Sequence, residues 1–316
     1  MNKLTLNSSY KGESFAARAK KDLYVHRGLY LMLVPVLLFY IIFAYVPMYG
    51  AVIAFKDFSP IKGILGSDWV GFKNFADFFE SPFFYRVLRN TLKISLVNLA
   101  VCFPASIILA LLMNEIRSTA YKKAVQTISY VPHFISLVVV AGMVKSFTSD
   151  GGFIYMALNS MGIIGDEPLL NVPEYFLPIY VISDLWQNVG WDTKIYLSDL
   201  SAISRELYEA ATIDGAGRLR QVFSITLPSI APTIIMLLVL KIGGLMSLGY
   251  EKIILLYNEL TYDTADVISS FVYRKGLIEA NYSFSTAVGL FNSVINFILI
   301  ISANSLSRKL NETSIW

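Results

Sequence analysis

The sequence predicts an all-α polytopic membrane protein that crosses the bilayer about six times, and two observations predict it. Of 316 residues, 55% are hydrophobic and only 16% charged, where a soluble domain carries about a quarter charged. The apolar residues also fall in long blocks rather than at scattered core positions, which points to lipid as the solvent.

Six blocks stand out, at 29–49, 91–112, 125–147, 175–197, 228–249 and 284–306. Each can cross a hydrocarbon core of roughly 30 Å, which takes about 20 helical residues. The fourth contains Asp184, Asn188, Asp192 and Lys194, so a buried soluble helix is the alternative there. The first block is not read as a cleaved signal peptide: 28 residues precede it, and no small-residue cleavage site follows. The chain then divides into an N-terminal segment 1–28, a transmembrane domain 29–306 and a tail 307–316.

Lys and Arg counts set the orientation. With the N-terminus inside, the cytoplasmic segments hold 14 and the outer loops eight. Both termini are therefore expected in the cytoplasm of a cell-membrane protein. Arg86 and Arg89, in the first outer loop, run against the trend.

Other classes find little support. A net charge of +3 without a basic, aromatic-studded stripe gives no reason to expect nucleic acid. Cys102, the one cysteine, reads as a small buried hydrophobe, and His26 and His133 lack neighbours at metal-ligand spacing. The nearest approach to a P-loop starts at Gly66, has Phe72 where lysine is required, and lies in an outer loop. No nucleophile and base share a pattern, so enzymatic activity is not expected.

The loop 204–228 is the most informative. Ser204 can cap a short helix, Glu206 suits its first turn, and Gly215 and Gly217 can end it in a tight turn. Pro228 suits the first turn of the next span. Such a helix, exposed and clamped between two spans, can pass a partner's motion into the membrane. An ordinary helix lying on the headgroups is the plainer alternative.

The run Glu209-Ala-Ala-Thr-Ile-Asp-Gly215-Ala, followed by Ile225-Thr-Leu-Pro228, resembles the EAA loop of binding-protein-dependent ABC importer permeases. The resemblance implies the type I importer permease fold. It also makes Glu209, Ala210, Ala211, Asp214 and Gly215 the residues that dock on an ATPase subunit. Two further stretches narrow it. The segment Trp69-Val-Gly-Phe-Lys-Asn-Phe75 resembles the first outer loop of carbohydrate-uptake permeases, and Tyr130-Val-Pro-His-Phe-Ile-Ser136 resembles the LplB-like polysaccharide permeases. Together they imply a second, related permease, two ATPase subunits that bind ATP and Mg in place of this chain, and an extracytoplasmic solute-binding lipoprotein. The expected solute is an oligosaccharide, neutral or acidic. A permease for another solute and a stand-alone secondary transporter are the rival readings.

Ionisable and polar groups inside spans usually face a cavity or another helix. Sugars need flat aromatic faces and hydrogen-bonding groups. Trp186, Asn188, Trp191, Ser247 and Tyr250 supply those types, so they are candidates for the solute path, with helix packing as the alternative. Lys241 either pairs with a carboxylate, expected on the partner permease, or meets an anionic solute. Pro104, Pro132, Gly142 and the Gly243-Gly244 pair are candidate bends or close contacts.

Overall fold

The computed structural model describes residues 21–311, so most of the N-terminal segment and the last residues of the tail lie outside it. Among the described residues, five helical runs are long and apolar enough to cross a membrane: Arg27–Phe55, Phe84–Glu115, Leu137–Ser160, Arg218–Gly243 and Tyr282–Lys309. A sixth long helix, Pro173–Ala202, falls outside that apolar set because Asp184, Asp192 and Lys194 interrupt it. Its 30 residues give about 45 Å at 1.5 Å per residue, enough to cross.

Helix α1 (Arg27–Tyr40) continues through a π-turn, Ile41–Tyr45, into Val46–Met48 and a 3₁₀ stretch, Tyr49–Phe55. Between Arg27 and Met48 no residue is buried, so this helix stands apolar on all sides outside the body of the subunit. The widened turn has a local cause. Pro47 has no N–H and its ring crowds the carbonyl four residues back, which falls within the π-turn. The same device recurs before Pro228, where the π-turn is Val222–Thr226.

After α1 come a two-stranded hairpin, β1 (Lys56–Asp57) with β2 (Asp68–Trp69), and the short helix α2 (Lys73–Glu80). The strands are antiparallel and pair Lys56 with Trp69. Helix α3 (Phe84–Glu115) starts earlier than the expected 91. Its charged first turns are tolerated because Arg86 and Asn90 bind residues 263 and 266.

The third expected span, 125–147, is not one helix. It divides into α4 (Thr119–Tyr130), a 3₁₀ turn Val131–Phe134 and α5 (Leu137–Thr148). Pro132 removes a donor at the break, and Ser136 caps α5 by accepting from the Val139 N–H. The apolar run instead continues into α6 (Phe153–Ser160). Of the other candidate bends, Pro104 lies within an unbroken α3 and Gly142 within an unbroken α5.

Helix α7 (Pro173–Ala202) is the central post, starting with Pro173 in its first turn and packed along α3. Gly190 lets α4 come close: a Cβ there would lie 2.2 Å from the Ser129 carbonyl oxygen. Next come α8 (Arg205–Ile213) and α9 (Leu227–Gly243). Pro228 does not open the fifth span as expected, because helical backbone has already begun at Arg218.

The fifth span also ends early, at Gly243, so 244–249 runs unwound where a helix is expected. Unpaired backbone inside a membrane must find partners. Ser95 donates to the Leu245 carbonyl, Met246 N–H donates to Asn296 Oδ1 at 3.0 Å, and Ser269 donates to the Leu248 carbonyl at 2.6 Å. Gly243 sits against α12 (Tyr282–Asn311), where a Cβ would meet Ile300 at 2.8 Å.

The expected outer loop 250–283 is packed rather than open. It holds α10 (Tyr250–Leu256), a short turn Tyr262–Ala265 and α11 (Ile268–Tyr273). Ile253, Leu256, Ala265, Val267, Ile268 and Phe271 are all buried there. One core layer joins Ile94, Phe176, Tyr180, Ile253 and Leu256, and another joins Phe78, Val87, Met246, Phe271 and Val288. A third, around Ala110, Tyr196, Leu200 and Ile230, lies toward the α8 end of the bundle.

Candidate functional site

A cavity of about 340 Å³ opens between α3, α7 and the unwound stretch after α9. Its polar wall is built around Asp184. The carboxylate accepts from Asn98 Nδ2 at 3.1 Å, Asn188 Nδ2 at 3.0 Å and Lys252 Nζ at 3.2 Å. Lys252 also donates to the Tyr180 carbonyl at 3.3 Å, and its side chain is only 7% exposed. An ionised pair in a membrane needs this degree of satisfaction, because each unmet hydrogen bond adds to the desolvation cost.

Asn188 passes the order outward. With its amide nitrogen turned to Asp184, its oxygen faces His133 Nδ1 at 3.0 Å, so Nδ1 carries the proton. His133 stacks on Trp191 at 4.3 Å between ring centroids and 11° between planes, and Lys194 lies over the same indole. The turn that breaks the third expected span therefore delivers His133 to the edge of the cavity network.

A second pair crosses the cavity, Lys241 Nζ to Asp192 Oδ2 at 3.4 Å. Among the described residues, the carboxylate within reach of Lys241 is Asp192 of this chain. Cys102 is half-buried on the cavity wall, 3.2 Å from Asn98 Oδ1.

The structure separates the six candidate path residues. Asn188, Lys241 and Ser247 line the cavity, and Ser247 Oγ accepts from Asn296 Nδ2 at 2.7 Å. Trp186 lines a different, apolar hollow of about 480 Å³ between α5, α6 and α7. Trp191 is held in the His133 stack, and Tyr250 stacks on Tyr273 at 5.3 Å, both away from the cavity lining. Sequence reasoning missed Asn98 and Lys252. Asn98 is an amide inside an apolar block, a signal that was available. Lys252 looked like an ordinary outer-loop lysine, and only the fold of α10 buries it. Among the described residues, no group of three or more His, Cys, Asp or Glu is placed to hold a metal ion.

At the far end of α7 stands the exposed helix α8. The Ser204 side chain accepts from the Glu206 N–H at 3.2 Å, as an N-cap does. Gly215, at φ +76°, closes the helix in a left-handed turn, with Ala216 N–H donating to the Ala211 carbonyl at 2.8 Å. Three contacts fix the helix to the start of the next span: Tyr208 Oη to Thr226 Oγ1 at 3.0 Å, and Gln221 Nε2 to Thr212 Oγ1 and to the Ala216 carbonyl, both at 3.0 Å. No residue of α8 is buried. Glu209, Ala210, Asp214 and Gly215 are exposed and Ala211 is half-buried. Leu207 and Ile213 add exposed apolar side chains, Ile213 at 87%. A rigid helix with small, acidic and apolar residues in the open is suited to a protein partner rather than to water.

Comparison with known proteins accounts for this combination. The family model described as binding-protein-dependent transport system inner membrane component matches residues 103–312. Protein LplB of Bacillus subtilis (strain 168) is 44% identical over 308 residues, covering 97% of this chain and 95% of that one. The polygalacturonan/rhamnogalacturonan transport system permease protein YteP of the same organism is 46% identical over 291 residues, covering 91% and 90%. Among solved structures, a bacterial ABC transporter involved in the import of the acidic polysaccharide alginate is similar at a TM-score of 0.85 and 44% identity, covering 93% of this chain and 99% of that one. The same kind of transporter in complex with an alginate pentasaccharide-bound periplasmic protein matches at 0.85 and 42%. The mainly helical, multi-span architecture agrees with a membrane transport component. The chain belongs to the family of binding-protein-dependent transport system inner membrane components.

Proposed function

We propose that this chain is one of two related permease subunits in an ATP-driven importer that carries oligosaccharides, acidic ones included, into the cell. The observation that carries the reading is α8: an exposed helix with the Glu209-Ala-Ala-Thr-Ile-Asp-Gly215 sequence, joined to α7 through Ile203-Ser204 and hydrogen-bonded to the start of the next span. ATP and Mg are bound by two partner ATPase subunits, which press on Glu209, Ala210, Ala211, Asp214 and Gly215 when they close. Because Tyr208 is bonded to Thr226 and α7 ends at Ala202, that push moves α7 and α9 as units. The two helices carry Asn188, Asp192 and Lys241, so the cavity between them changes shape with the ATPase.

Both termini lie in the cytoplasm in this reading, with 1–28 and 307–316 as cytoplasmic segments and 29–306 as the transmembrane domain. A solute-binding lipoprotein delivers sugar at the opposite end, where the hairpin and α10–α11 lie. The acidic preference draws support from the similarity to the alginate transporter and to YteP. Uptake of labelled oligogalacturonate into right-side-out vesicles tests the reading. Uptake is expected only with ATP inside and with an intact Glu209–Gly215 loop. Uptake that persists without ATP, driven by an ion gradient, would instead mark a stand-alone transporter.

A further inference from the structure

Two carboxylates line the cavity, Asp184 and Asp192, and their pairings with lysine are built differently. Asp184 is saturated by Asn98, Asn188 and Lys252, and the lysine is locked away from solvent. Asp192 and Lys241 touch once, at 3.4 Å, and keep 31% and 56% exposure. Among the described residues neither makes a second ion pair. Lys241 also sits in the last turn of α9, beside unwound backbone that lines the same cavity.

We propose that Asp192 is a resident counter-ion: it holds Lys241 while the cavity is empty and yields it to a carboxylate of an acidic sugar. This inference rests on the oligosaccharide reading above and assigns the residue that reads solute charge. A bare ammonium facing a membrane cavity is costly, so an empty cavity needs a stand-in anion. A ligand shifts such an arrangement only by its differential affinity, so the stand-in must be held weakly. The Asp192 contact meets that requirement and the Asp184 contact does not. A neutral sugar has nothing to exchange, so the same lysine discriminates between acidic and neutral chains of equal length.

The test uses the whole importer in proteoliposomes with saturating binding protein, and the probes are trigalacturonate and its fully methyl-esterified form. Lys241→Met is expected to lower uptake of trigalacturonate about tenfold relative to the ester, and Lys241→Arg to recover most of the loss. Asp192→Asn is expected to move the ratio the other way, about threefold toward the acid. A plain structural ion pair would lose uptake of both sugars equally in both variants, and that result overturns the inference. If Lys241→Met does not assemble, Asp192→Asn decides alone: a fall in acidic uptake overturns the inference. A wild-type importer that assembles, hydrolyses ATP and moves neither sugar overturns the oligosaccharide reading itself, and this inference with it.

Discussion

Lys252, on α10, lies 3.2 Å from Asp184, on α7, and ties the packed cap 250–283 to the central post of the bundle. The two ends of this pair are not equally replaceable. Removing Asp184 strands a lysine whose side chain is 7% exposed, whereas removing Lys252 leaves a carboxylate with two amide donors. Asp184→Ala is therefore expected to cost about 3–5 kcal/mol, the usual penalty for an abandoned buried charge. Lys252→Met keeps the volume and is expected to cost distinctly less. Thermal unfolding of the detergent-solubilised complex checks the order, and equal losses would contradict it.

At the same end, Asp266 has no exposed surface and accepts from Arg274 at 2.6 Å and from Arg86 at 3.3 Å. Ser270 adds a hydroxyl donor at 2.8 Å. Asp266→Ala leaves Arg274 without its anion and Arg86 with Asp263 alone, and a loss of about 3–5 kcal/mol is expected. The measurement is protease resistance of the 258–278 region in intact membranes, which is expected to fall.

Two glycines in helices should respond in opposite ways. At Gly190 a Cβ would lie 2.2 Å from the Ser129 carbonyl oxygen, so Gly190→Ala must push α4 off α7, at a cost of about 1–3 kcal/mol. At Gly142 nothing lies within 4 Å of the added carbon, so Gly142→Ala should stabilise α5 by up to about 1 kcal/mol. Melting temperatures of the two variants, read side by side, check both signs. A functional hinge at Gly142 would show instead as lost uptake without lost stability.

The exposed loop gives the converse pattern. Ala210 and Glu209 make no buried contact in this chain, so Ala210→Trp and Glu209→Lys should leave its stability within about 0.5 kcal/mol. Uptake is expected to fall at least tenfold, because an indole blocks close approach and a lysine reverses the charge offered to the partner. Transport and ATP hydrolysis, measured together, distinguish failed docking from failed folding.

How far this was legible in the sequence depends on the range of the forces involved. Local chemistry read well: the Ser204 cap, the Gly215 turn and the apolar blocks all depend on neighbours within a few residues. Helix continuity read less well. The third block reads as one span with at most a bend at Pro132, because hydropathy does not register the donor that Pro132 lacks, and the fifth reads on past the Gly243-Gly244 pair because Leu245 and Met246 are as apolar as the helix before them. Long-range pairing did not read at all. Asn98 meets Asp184 across 86 positions and Lys252 meets it across 68, and no local pattern announces either. Of the aromatic residues chosen for sugar contact, Trp191 spends its face on His133, which composition alone does not disclose.

The most direct measurement is a mild-detergent pull-down of this chain from native membranes, with mass spectrometry of what accompanies it. Recovery of a second permease, an ATPase and a solute-binding lipoprotein is the expected result, and Ala210→Trp should lose the ATPase while keeping the second permease. Recovery of the chain alone, in preparations where known membrane complexes survive, would contradict the role given to α8.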